Sequence, residues 1–103
     1  MEYRIEKWEG PGEPDTASLV RQMRSEGYSV FQWTDNAGTV YPDHQHPEDQ
    51  SHWIISGMLE LTVLGYGKAT LGPGDRDFMP VGTMHSAKVI GGQPVKYLIG
   101  ARN

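Results

Sequence analysis

The stretch Gly74-Asp75-Arg76-Asp77-Phe78-Met79-Pro80-Val81-Gly82-Thr83-Met84-His85 decides how the rest of the chain reads. It begins within Gly72-Pro73-Gly74-Asp75, the strongest turn signal in the sequence, because proline presets φ and glycine frees it. Asp77 to Met79 reads as a short strand, and His85 to Ile90 as another. Gly91-Gly92 then separates the latter from a strand at Val95 to Gly100. Working backwards, Gly65-Tyr66-Gly67 is a turn ahead of Lys68 to Leu71. His52 to Ile55 passes through Ser56-Gly57 into Met58 to Leu64, a pattern that predicts a hairpin with a tight glycine turn. Thr39 to His46 is a further strand, in which Pro42 implies an edge or a bend. Asp35-Asn36-Ala37-Gly38 forms the turn before it. Ser29 to Thr34 alternates, with Val30 and Gln32 opposing Phe31 and Trp33. Many short strands at regular spacing predict an all-β sandwich or barrel.

One helix is expected. Residues 3–8 alternate as a half-buried strand, and Gly10-Pro11-Gly12-Glu13-Pro14 breaks regular structure. Asp15 and Thr16 can then cap a short helix through about Glu26, with Leu19, Val20 and Met23 on one face and Gly27 at its stop.

Composition supports this reading and removes several functions. The 103 residues suit a single domain, and 13 glycines with 7 prolines fit turns better than a helical bundle. A net charge of −4 without basic runs argues against nucleic acid as a partner. The absence of cysteine excludes disulfides and thiolate metal sites. No apolar stretch reaches the length of a membrane span, and residues 1–20 lack the apolar core of a signal peptide. A soluble cytoplasmic protein is the expectation. With 37% hydrophobic residues, a bound metal or a second subunit would help to stabilise so small a core.

All four histidines lie between positions 44 and 85. His44 and His46, two apart on an expected strand, project from the same face, where two imidazoles can chelate one ion. Taken alone, His-x-His is a weak signal.

The opening stretch turns it into a stronger one. Residues 74–85 resemble the second motif of the cupin superfamily, G-x5-P-x-G-x2-H, with every spacing kept. The first cupin motif, G-x5-H-x-H-x3-4-E-x6-G, is similar to Gly38, His44, His46 and Gly57 at matching intervals. Gln50 stands at its acidic position, and Val89 where the second motif often has asparagine. The likeness spans residues 38–101, leaving 1–37 as an N-terminal strand, helix and strand. It implies a jelly-roll-like double-stranded β-barrel holding a divalent metal inside. The implied ligands are His44, His46, His85 and, through a neutral and weaker oxygen, Gln50.

Three imidazoles suit iron, nickel, manganese, copper or zinc, and open coordination positions would make the centre catalytic in kind. His52 shares strand parity with Gln50 and is a candidate acid–base residue. Phe31, Trp33, Tyr41, Trp53, Phe78, Met79, Met84 and Tyr97 are candidates for the barrel interior, with Met84 the best placed to touch a ligand. Arg76 and Arg102 are expected to be exposed. The resemblance implies a metalloenzyme acting on a small molecule, dioxygenase-like or isomerase/lyase-like. Its competitors are a non-catalytic module that binds or senses a small ligand and a metal that only stabilises the barrel. A homodimer is expected, with residues 1–8 as an edge strand able to pair with a neighbouring subunit.

Overall fold

The computed structural model describes residues 2–103. In chain order these form β1 (Arg4–Glu6), α1 (Thr16–Ser25), β2 (Ser29–Asp35), β3 (Val40–His44), β4 (Asp49–Ser56), β5 (Met58–Val63), β6 (Gly67–Leu71), β7 (Arg76–Phe78), β8 (His85–Ile90) and β9 (Val95–Arg102). The strands make two antiparallel sheets, β1-β7-β4-β9-β2 and β3-β8-β5-β6, facing each other as a jelly-roll-like barrel.

Strand alternation fills the space between the sheets. Ile54, Val95 and Tyr97 of the first sheet meet Leu59, Leu61, Val63, Leu71 and Val89 of the second in one buried cluster, joined by Tyr3 and Met79. The opposite parity of the first sheet faces outward and is covered by α1. Leu19 and Met23, one turn apart on the helix, bury against Trp53, Leu98 and Tyr28. Asp15 caps the helix as expected, its carboxylate accepting from the Ser18 backbone N–H at 3.1 Å and the Ser18 hydroxyl at 2.7 Å.

Three expectations change. β4 and β5 are not a hairpin, because they belong to different sheets and the chain crosses between them at Gly57. Gly57 has φ of 82°, and a Cβ there would lie 2.3 Å from the Pro94 carbonyl oxygen, so both conformation and space require glycine. The tight turn was legible; which sheet each arm joins depends on distant pairing. β1 pairs with β7 on one side only and is the end strand of its sheet, the edge position expected for residues 1–8, of which Met1 lies outside the described residues.

Arg76 and Arg102 are the other two corrections: Arg102 is half-buried, and Arg76 is only 1% exposed. Its guanidinium lies between the Trp53 and Phe78 rings, 4.3 and 4.2 Å from their centroids, and reaches both Glu26 carboxylate oxygens at 2.9 and 3.2 Å. Arg76 also donates to the Ser51 hydroxyl. A planar cation can be buried when aromatic faces and a bidentate carboxylate replace its water. Arg102 likewise caps the helix end, donating to the Glu26 carbonyl.

Candidate metal centre

The register between β3 and β8 assembles the histidines. Val40 faces Lys88 and Tyr41 faces Ala87; an irregularity then adds one residue, so His44, rather than Asp43, stands opposite His85. Pro42 lies in that bulge, where a missing N–H costs no ladder bond. The extra residue also switches parity, so that Tyr41 and His44, three apart, both line the interior cavity. His46 lies past the end of β3, not on it as expected, but returns its ring to the same point.

The ligand atoms of His44, His46 and His85 all lie within 4.8 Å of one another. The His44 and His85 rings are 4.2 Å apart between centroids, and His46 is 4.9 and 5.1 Å from them. His44 Nδ1 is 2.7 Å from the Pro42 carbonyl oxygen, and His85 Nδ1 is 2.9 Å from that of Thr83. A carbonyl only accepts, so each Nδ1 carries the proton and each Nε2 keeps its lone pair free. This is the backbone support that metal-ligating imidazoles commonly have. Burial holds the His85 pKa down to about 4, with the other histidines adding to the effect. His46 is lowered by burial and then by its neighbours. Three imidazoles whose ring nitrogens converge fit a divalent transition metal. The triad is therefore placed for a metal.

Gln50 and His52, on the inward parity of β4, line the same cavity. The Gln50 amide donates to Glu48 at 2.9 Å, which leaves its carbonyl oxygen as the group still able to reach an ion. His52 is 7% exposed. Its Nδ1–H donates to Asp77 Oδ1 at 2.9 Å, and its backbone N–H donates to the same oxygen at 2.8 Å. Tyr3 donates its hydroxyl to Asp77 Oδ2 at 3.0 Å, so the carboxylate is held from both sides. Burial alone would lower the His52 pKa; the adjacent Asp77 charge overrides it and raises the value.

Asp77 went unread in the sequence. It sits 25 residues beyond His52 and is inward only because β7 pairs with β4. Its strand parity with Met79 was the available signal. Asp35 reads as a turn residue in the sequence, yet it is buried and accepts three hydrogen bonds. Met84 does not reach the cavity: with His85 pointing in, its neighbour points out, onto grooves beside Leu64 and Tyr66. Trp53 and Phe78 also face away from the cavity, whereas Phe31, Trp33, Tyr41 and Tyr97 line it. Arg76 and Arg102 are absent from its lining. The cavity holds about 240 Å³. No helix of the described residues is long and apolar enough to cross a membrane.

Known proteins resemble this chain in sequence and fold to different depths. Over 52 residues, half of this chain, the sequence is 40% identical to dimethylsulfoniopropionate lyase DddQ of Ruegeria pomeroyi. Those residues are 26% of the lyase, so the chain spans a minor part of that relative. The lyase crystal structure superposes with a TM-score of 0.67 at 32% identity, covering 74% of this chain and 38% of the other. KdgF of Halomonas sp. follows with a TM-score of 0.60 and 29% identity, over 74% of this chain and 70% of that one. Bacillus subtilis oxalate decarboxylase, a protein with Mn(II) centres, shares the fold at 22% identity with a TM-score of 0.66, over 74% of this chain and 22% of its own. Residues 31–99 match the family described as the cupin domain, which is well over half of the sequence, and the chain belongs to that family.

Proposed function

We propose that this protein is a metal-dependent enzyme of lyase type acting on a small molecule, with one divalent transition metal held by His44, His46 and His85 and approached by Gln50. The observation that carries this reading is the convergence of three imidazoles within 4.8 Å, two of them with Nδ1–H committed to backbone carbonyls. An ion held by these residues would supply Lewis acidity to a substrate oxygen. Imidazole and amide ligands bring no negative charge, so a site built from them would leave a bound ion its full charge and would favour an anionic substrate group such as a carboxylate.

The chain supplies the rest. The cavity is below the usual size of a drug-sized site, and Leu59, Leu61, Ala87 and Ile99 give it an apolar lining. His52, with Nδ1–H fixed on Asp77, has Nε2 free to take a proton from a substrate carbon. In such an elimination the C–H electron pair becomes the new double bond, and the leaving group departs from the neighbouring carbon with its own bonding pair. The likeness to a lyase favours this class over the dioxygenase chemistry that three histidines also allow. Manganese is the first metal to try, given the Mn(II) centres of oxalate decarboxylase. A homodimer through the free edge of β1 belongs to the same reading, and sedimentation measures it.

Elemental analysis of the purified protein tests the centre. About one equivalent of metal is expected in the wild type and in His52→Ala, and none in His44→Ala/His85→Ala. A wild type that stays metal-free after reconstitution overturns the proposal. For the reaction, a metal-loaded protein should release unsaturated product from short β-substituted carboxylates, and His52→Ala should abolish release while keeping its metal.

A further inference from the structure

One wall of the cavity has a use that the metal and His52 leave open. Phe31 and Trp33 of β2, Tyr41 of β3 and Tyr97 of β9 line it. Behind them Asp35, 7% exposed, accepts from Trp33 Nε1–H at 3.0 Å, from the Tyr41 hydroxyl at 2.6 Å and from the Tyr97 hydroxyl at 2.8 Å. Every polar hydrogen of this wall is thereby spent, and none remains for an anion or a hydrogen-bond acceptor. What faces the cavity is aromatic surface. Asp35 takes part in no ion pair among the described residues, and no lysine or arginine lines the cavity. A buried carboxylate ordinarily has a cationic partner; here its three partners are neutral donors, and the negative field passes into the cavity through the phenol and indole rings.

We infer that this wall is a binding subsite for an alkylated onium group, a methylated ammonium or sulfonium carried by the small-molecule ligand. Such a cation has no N–H to satisfy and is held by ring faces, with the charge behind them adding to the attraction. Trp33 and Phe31 stay about half exposed, at 49% and 52%, so the subsite opens to solvent at the β2 edge. The Tyr41 ring centroid lies 6.2 Å from that of His44, and the Tyr97 centroid 6.2 Å from that of His52. One short molecule can therefore span the aromatic wall, the proton-transfer residue and the triad. As a statement about substrate class, a short carboxylate bearing an onium group, this rests on the metal-enzyme reading; as a statement about binding it does not.

The test uses metal-free protein and two probes of nearly equal shape, choline and its uncharged carbon counterpart 3,3-dimethyl-1-butanol, with trimethylsulfonium as a third arm. Tryptophan fluorescence and NMR shifts of the Trp33 indole report binding. Choline is expected to bind roughly two- to thirtyfold more tightly than the alcohol. Trp33→Leu, at a half-exposed position, and Asp35→Asn should each erase that difference. If Asp35→Asn fails to fold, Trp33→Leu carries the comparison alone. Equal Kd values for choline and the alcohol, or no binding of choline, overturn the inference. Trimethylsulfonium binding more tightly than choline assigns the subsite to sulfonium, and the reverse assigns it to ammonium. Because the probes need no ion, a protein that never loads metal leaves this result standing, and a failed choline titration leaves the triad standing.

Discussion

His52 and His85 line one cavity and are both closed to water, 7% and 3% exposed, yet their environments drive them apart. Burial disfavours the charged form of each. At His85 only the Thr83 carbonyl opposes it while three other imidazoles reinforce it, and the ring stays neutral down to about pH 4. At His52 the Asp77 carboxylate opposes it and prevails, raising the pKa. The lesson is that the partner, not the degree of burial, sets what a cupin histidine can do. A neutral ring with a free lone pair suits a ligand; a ring paired with a carboxylate suits a proton carrier.

The comparison breaks most visibly through metal. His85→Ala should lose the bound ion altogether by elemental analysis, whereas His52→Ala should retain it; loss of metal in both would erase the distinction. Asp77→Ala attacks the other side. It strands the Tyr3 hydroxyl and two donors of His52 in a buried place, and should destabilise by about 3–5 kcal/mol in urea denaturation. A loss near zero would mean that the carboxylate does not organise His52.

The two rings should also respond to pH with opposite sign in metal-free protein. His85 has a folded pKa below its unfolded one, so the unfolded chain binds the extra proton between about 6.5 and about 4. Stability should fall as pH drops through that window, by on the order of 2 kcal/mol. His52 has a raised folded pKa, so its contribution is present below the ordinary value and is lost as pH rises through the raised one. An NMR titration that finds His85 protonating above His52 would reverse the assignment. The smallest expected effect belongs to Tyr3→Phe, which removes one of the donors on Asp77 and should cost about 1 kcal/mol. A carboxylate with fewer donors holds the His52 proton harder, so the His52 pKa should rise further in this variant.

How much of this was legible follows the range of the interaction. The helix and its Asp15 cap and most strand positions come from local alternation, and the three candidate histidines from fixed motif spacings, which a linear sequence carries; their convergence on one point comes from the bulge in β3 and its pairing with β8. The Gly57 turn was legible too, but not that it joins two sheets instead of closing a hairpin. Arg76 reads as a surface cation until Trp53 and Glu26, brought from two distant places in the chain, enclose it together with Phe78 of its own strand. Asp35 reads as a turn until β3 and β9 bring Tyr41 and Tyr97 to it.

The β architecture, the cupin resemblance and the candidate ligands are all readable along the chain, because side-chain period and motif spacing are properties of sequence neighbours. That His44 rather than Asp43 faces His85, that Asp77 backs His52, and that a buried carboxylate stands behind the aromatic wall all depend on the folded arrangement. Those are cross-strand matters, fixed by a one-residue bulge and by sheet pairing, and a one-residue step in register turns every side chain to the other face.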